Sequence, residues 1–235
     1  MFKKSLLLLA LAICMTGFGS NGTASAQELT ARQASIVTVA ALTAQGDLPH
    51  LKTALSEALD QGLTVNEVKE VLVQMYAYCG FPRSLNGLNT LINLLDERKA
   101  AGIVDETGRE ATPVDPQRDR YAIGTKTQTE LVGRPVAGRT YDFAPVIDVF
   151  LKEHLFGDIF ERDLLNHQER ELATVGALAG IGNVNAQLTS HLRVSMNTGL
   201  TAGQLQAAVD ILETKVSSAT GSNARQVLET LLRQK

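Results

Sequence analysis

The sequence predicts an all-α fold built from two homologous helical repeats, and three observations carry that reading. Apolar residues recur at helical spacing, and no run alternates with hairpin signals. Helix-opening signals, a Thr or Asn followed three residues later by Glu or Gln, stand at Thr64, Asn166 and Thr201. The chain is also written twice. Laying Leu29 on Leu165 pairs Thr38 with Thr174, Val39 with Val175, Ala41 with Ala177, Leu42 with Leu178 and Gly46 with Gly182. One inserted residue restores the register, so that Leu51 meets Leu188, Leu55 meets Leu192, and Gly62-Leu63-Thr64 meets Gly199-Leu200-Thr201. Positions at which the copies differ are where function is sought.

In chain order, Lys3 and Lys4 precede an apolar run from Leu6 to Met15 and a small-residue stretch ending at Ala24-Ser25-Ala26. That is the pattern of an export leader cleaved near Ala26, and the run is too short to span a bilayer as a helix. Residues 1–26 are therefore set aside; lipidation at Cys14 is disfavoured by Ile13, which sits where a small residue is expected. Cleavage leaves 209 of the 235 residues, ample for a core, and shifts the formal charge from -3 to -5 by removing Lys3 and Lys4. No basic patch points to nucleic acid. Cys79 becomes the sole thiol, which excludes an internal disulfide and leaves it buried, reactive or paired between chains.

The first repeat, residues 27–99, opens with Thr30 as N-cap of a helix carrying Ile36, Val37, Val39, Ala40 and Leu42 and stopping at Gly46-Asp47. A second helix bears Leu48, Leu51, Leu55 and Leu59; a third follows Thr64 through Val68, Val71, Leu72 and Met75. It ends at Tyr78-Cys79-Gly80-Phe81-Pro82-Arg83, a sharp corner because Gly80 suits a left-handed stop and Pro82 suits the next first turn. Leu85 to about Lys99 gives a fourth helix.

Residues 100–141 show no sustained apolar period and read as an ordered surface arm anchored at Tyr121, Ile123, Leu131 and Val132. The second repeat, residues 142–235, resumes at Phe143 with a helix through Val146, Ile147, Phe150 and Leu151, ending at Gly157. Asn166 and Glu169 then open a helix to about Ala179; the next holds Gln187 and His191; Thr201 and Gln204 open a third; a last helix starts near Asn223. Lys215-Val216-Ser217-Ser218-Ala219 replaces the corner of the first copy.

The chemically suggestive side chains are few. Gln187 and His191 are four residues apart on one helical face, so the amide could orient the imidazole for proton transfer, or the His could be a satisfied interface residue. Glu171, beside Arg170, is a catalytic acid or half of a structural ion pair, and His154 follows Glu153. Cys79 has Arg83 four residues on, a cation that would lower its pKa, against the simpler reading of a small apolar filler. Arg83 and Arg193 are candidates to hold a carboxylate. His50 reads as a solvated or capping residue.

These residues resemble the carboxymuconolactone decarboxylase family, within the AhpD-like superfamily. The resemblance rests on the Phe143-Ala144-Pro145 segment, Glu153 to Phe160, Arg170-Glu171-Leu172, Leu188-Thr189-Ser190-His191-Leu192 and Gly199-Leu200-Thr201. Tyr78-Cys79-Gly80-Phe81-Pro82 looks like the decarboxylase branch's corner. It implies an AhpD-like helical fold whose two copies form an internal pseudo-dimer within a homo-oligomer of trimer or hexamer type. Peroxidases of the superfamily carry a Cys-x-x-Cys and a His; here the Cys positions fall on Val184 and Gln187 with the His at His191, and in the first copy on Asp47 and His50 with Ala54. No disulfide cycle can run on such a site.

The second copy thus keeps the His helix and the first keeps the corner, which predicts one working site per chain near His191. The expected activity is decarboxylation of a small anionic lactone or oxo acid without metal or organic cofactor. His191 would be the proton donor, Gln187 its positioner and His154 a second donor, with Glu171 and Cys79 as further catalytic candidates and Arg83 and Tyr78 binding substrate. A Cys79-dependent peroxidase and a non-catalytic helical binding or scaffold protein are the alternatives.

Overall fold

The computed structural model describes residues 28–234; the predicted leader, Cys14 with it, lies outside them. Among the described residues the chain is helical and no strand occurs. The first copy comprises α1 (Ala31–Gln45), α2 (Leu48–Asp60), α3 (Val65–Gln74) and α4 (Tyr76–Ala100). Thr30 and Gln33 close a capping box on α1, Thr64 and Glu67 another on α3, and Gly46 ends α1 at φ 75°. The predicted corner is present: Gly80, at φ 81° and ψ 159°, breaks the helical path inside α4, and Pro82 sits in the turn that follows.

The second copy repeats the plan with α8 (His167–Ile181), α9 (Asn185–Asn197), α10 (Ala202–Ile211), a π-helical turn Leu212–Val216, and α11 (Ser218–Arg233). Asn166 with Glu169 and Thr201 with Gln204 form the expected capping boxes. α11 begins ahead of the predicted Asn223, because Ser217 takes an extended conformation and caps it through Thr220 N.

Helices α1 and α8 form the central pair. Gly176 and Gly180 let them touch backbone to backbone: a Cβ at these positions would lie 2.6 Å from the Val37 carbonyl oxygen and 2.5 Å from that of Ala41. Ile36 to Ala44 and Glu169 to Ala179 are continuously buried, which is why neither helix shows a polar stripe. One hydrophobic core runs through both copies, from Leu51, Leu55 and Leu72 to Leu172, Leu188, Leu205 and Leu228.

The connector carries more helix than its composition suggests. Residues 103–119 form an ordered strap, held where Val65 N and Asn66 N donate to the carbonyls of Glu106 and Thr107 and where Arg98 grips Asp105. Beyond it lies a helix the periodicity did not reveal, α5 (Arg120–Val132), capped by Asp119. Its buried face is Gly124, Thr127, Gln128 and Leu131, too polar to register as an apolar stripe. Two short helices, α6 (Arg139–Phe143) and α7 (Pro145–Val149), lead into a π-helical segment Phe150–Ile159 against which α5 packs. Gly157 was expected to end this helix but lies inside it, because its missing side chain admits the Arg120 carbonyl; a Cβ there would meet that oxygen at 2.6 Å. Leu131, Leu155, Phe156, Ile159, Phe160 and Val194 form a second, smaller core under the arm. No described helix is long and apolar enough to cross a membrane.

Candidate active site

The capping box at Asn166 sets the phase of α8, and that phase sends its adjacent Arg170 and Glu171 in different directions. Arg170 points toward the first copy. Its guanidinium, wholly buried, donates from Nη1 to Gln74 Oε1 at 2.9 Å and from Nη2 to Glu70 Oε1 at 2.8 Å. Gln74 returns a hydrogen bond to the Arg170 carbonyl at 2.9 Å and another to Thr174 Oγ1 at 3.0 Å. Burial works against the charge of Glu70, but hydrogen bonds from Arg162 and Arg170 outweigh it and hold the carboxyl below its usual range.

Glu171 points toward α9 and meets His191. Its Oε2 lies 2.8 Å from His191 Nδ1, with the carboxylate fully buried and the imidazole 17% exposed. The sequence reading assigned that positioning to Gln187, which instead is exposed on the same helix. A carboxylate on Nδ1 fixes the ring and leaves Nε2 for chemistry. Among the described residues Glu171 Oε1 is buried without a hydrogen bond, and the Tyr78 hydroxyl is buried beside Thr174. The Tyr78 ring, from the first copy's corner, stands edge-on to His191 with centroids 5.8 Å apart. Burial, and then the charge of Glu171, push its phenol proton affinity well above normal.

His191 and Glu171 line a cavity of about 720 Å³ bounded by α5, α6, α9 and the π-helical segment. Leu131, Leu151, Leu155, Phe156 and Val194 give it apolar walls, and Gln187, Ser190, Asn197, Tyr141, Arg134 and Arg193 add polar groups. Among the described residues neither Arg134 nor Arg193 has an ion-pair partner, whereas the buried arginines Arg98 and Arg170 do. Arg134 and Tyr141 do not stand out in the sequence because the arm that carries them shows no apolar period to set their direction; Gly133, which ends α5 at φ 79°, is the signal that places Arg134 just past a helix end.

The other predicted residues lie elsewhere. Arg83 donates to the Ala44 carbonyl at the C-terminal end of α1 and does not line the cavity. His154 pairs through Nδ1 with Asp158 Oδ2 at 2.9 Å, half exposed and beside the Tyr76 ring, and it too is absent from the cavity wall. His50 is exposed and pairs with Asp47 Oδ2 at 2.7 Å; Asp47 itself caps α2. Cys79 Sγ donates to the Met75 carbonyl at 3.0 Å, and burial pushes the thiol up to about 11 against the opposing charge of Arg83. It is a protonated thiol at neutral pH, the opposite of an activated nucleophile.

A duplicated all-helical fold with a carboxylate-held imidazole on the wall of a mixed apolar and cationic cavity defines a class of protein: a helical repeat with a His–carboxylate pair at a cavity and, among the described residues, no paired thiols. The chain belongs to the carboxymuconolactone decarboxylase family, which matches it twice, over residues 11–92 and 149–230. The first match opens inside the predicted leader, outside the described residues; the two otherwise fall on the two copies. Among curated proteins the chain is similar to the 4-carboxymuconolactone decarboxylase of Acinetobacter baylyi, 28% identical over 94 residues that cover 38% of this chain and 69% of that protein.

Proposed function

We propose that the chain is a decarboxylase-like lyase acting on a small carboxylated lactone or oxo acid, with His191 as the proton donor. The observation that carries this is the 2.8 Å contact between buried Glu171 and His191 on the cavity wall. When the carboxylate leaves as carbon dioxide, the electron pair of the broken carbon–carbon bond passes into the conjugated ring as a dienolate. His191, protonated and held by Glu171, gives its Nε2 proton to that carbon and is left neutral, with Glu171 fixing its orientation throughout. Arg134 and Arg193 hold the anionic groups, since cations without an ion-pair partner among the described residues are free to take one from a ligand. The apolar walls take the ring.

The homo-oligomer implied by the family belongs to the same proposal. Phe143 is 90% exposed and Phe150 59%, with Val146 and Ile147 exposed beside them, a face that suits burial against a second copy. A thiol peroxidase based on Cys79 gains no support from the geometry. The test is carbon dioxide release from a panel of carboxylated lactones and oxo acids by the full chain and by His191→Ala. Turnover that His191→Ala abolishes supports the assignment; turnover unchanged by it removes His191 from the mechanism.

A further inference from the structure

The duplication register allows the site to be compared with its counterpart on the other side of the pseudo-two-fold. Glu70, Gln74 and Tyr78 are spaced at successive helical turns on the first copy and face Arg170, Glu171, Thr174 and His191 of the second. In the mirrored arrangement, Ala34, Ser35 and Ala54 stand where Arg170, Glu171 and His191 would be, and Ala207, Ile211 and Lys215 where Glu70, Gln74 and Tyr78 would be. One structural echo survives: Thr38 bonds back to the Ala34 carbonyl at 3.0 Å as Thr174 bonds back to that of Arg170 at 2.9 Å. Lys215 reaches away from any such site, to Glu57 at 3.3 Å.

Both halves of one site are kept and both halves of the other are gone. If the Glu70–Gln74–Tyr78 row merely packed the first copy, nothing would tie its loss in the second copy to the loss of Glu171 and His191 in the first. Two further observations single out Tyr78 within the row. Its hydroxyl is buried beside Thr174 and within reach of the Glu171 charge, and Glu171 Oε1 is buried and unpaired among the described residues, on the same carboxylate that holds the imidazole.

We infer that these residues form one composite site and that Tyr78, supplied by the otherwise degenerate first copy, is the positioning residue that sets the charge of the Glu171–His191 pair. Its O–H moderates the negative charge that Glu171 presents to His191. The row Glu70–Gln74–Arg170 holds α3 and α8 together so that the hydroxyl stays in place. This deepens the proposed proton-donor role of His191, and it gives the first copy a task beyond packing.

The experiment is a titration of the His191 imidazole by NMR in the full chain, compared with Tyr78→Phe and with Lys215→Met at the equivalent place. The groups that bear on His191 are Glu171 and Arg170 on α8, Tyr78 in α4, Arg193 on its own helix, and Arg134 and Tyr141 across the cavity. Loss of the Tyr78 hydroxyl dipole near Glu171 leaves that carboxylate's charge less moderated, so the His191 midpoint rises by about half a pH unit or more, and Lys215→Met leaves it unmoved. An unchanged midpoint in a folded Tyr78→Phe protein overturns the inference, because a purely structural Tyr78 would alter stability alone. Should Tyr78→Phe not fold, Tyr141→Phe protein labelled with 3-fluorotyrosine, a stronger donor, shows a lower midpoint than the same protein unlabelled; no shift there overturns it equally. Since the readout is protonation and not turnover, a failure of the lyase reading would show in the substrate panel and leave this result standing.

Discussion

Arg170 and Glu70 are bonded across the two copies, Nη2 to Oε1 at 2.8 Å, with 0% and 2% of their side chains exposed. A charge so placed is stable only with its partner. Glu70→Ala leaves Arg170 buried with no anion and costs about 3–5 kcal/mol of stability by denaturant unfolding. The pair also fixes the sign of the acid response. Although burial alone would raise it, Glu70 is held below the ordinary carboxylate range by Arg162 and Arg170, so its contribution is present above the unfolded value and is lost as pH falls through the folded one. The melting temperature therefore drops on acidification below about pH 4.5, and Glu70→Gln, less stable at neutral pH, shows a shallower drop. Parallel pH profiles for the two proteins would contradict the assignment.

Glu171→Gln tests the site itself. The amide cannot stabilise an imidazolium as a carboxylate does, so on the proposed mechanism turnover falls by about 10²–10⁴-fold, close to the loss for His191→Ala. His50→Ala leaves the rate unchanged, because His50 is exposed, pairs with Asp47 and does not line the cavity. Equal losses at His50 and His191 would refute a single working site per chain.

Most of the fold was legible in the sequence because its signals are local. The capping boxes at Thr64, Asn166 and Thr201 and the break at Gly80 need only neighbouring residues, and each occurs where it was read. Helix α5 was not legible, because its buried face is glycine, threonine and glutamine, whose complementarity to the π-helical segment exists only once both are folded. The site divides in the same way. His191 and Glu171 stood out as residue types and as parts of a resemblance, but their pairing depends on how α8 and α9 pack. Gln187 was favoured as the imidazole's partner because helical spacing is the one distance a sequence displays. Arg83 and His154 were drawn off by partners closer at hand, the Ala44 carbonyl and Asp158.

Gly124 shows how much depends on that hidden face. A Cβ there would come within 1.6 Å of the Lys152 carbonyl oxygen, so Gly124→Ala must push α5 off the π-helical segment. The cost is about 1–3 kcal/mol of overpacking. Because α5 carries Gln128, Leu131 and Val132 on the cavity wall, hydrogen exchange across residues 120–132 should quicken and ligand affinity fall together. Unaltered exchange in that helix would show that the contact is not what seats the arm.

Cys79 gives a prediction of the opposite kind, an absence of reactivity. With its thiol pushed up to about 11, only about one molecule in ten thousand is thiolate at pH 7. Alkylation of the native chain should therefore be at least about tenfold slower than in denaturant, where the thiol returns to its ordinary range. Cys79→Ser should leave both stability and turnover nearly unchanged. Rapid labelling of the native protein at neutral pH would reopen the thiol-based reading.

The last prediction separates binding from chemistry within the cavity. Arg134 follows α5 on the arm, and Arg193 lies on α9 two residues past His191, so they approach a ligand from different elements. If each grips an anionic group in the ground state and the transition state alike, Arg134→Ala and Arg193→Ala raise KM by about tenfold each, with kcat little altered. Decarboxylation adds a second requirement: the departing carboxylate loses its charge, so a cation that holds that group too tightly opposes the reaction. The arginine on the retained anion can be strong, and the one nearer the scissile bond must be weak. Lys in place of each keeps the charge but removes the bidentate fork, and only at the retained anion should that raise KM. A loss of kcat from either alanine variant, with KM unchanged, would place that arginine in the chemical step instead.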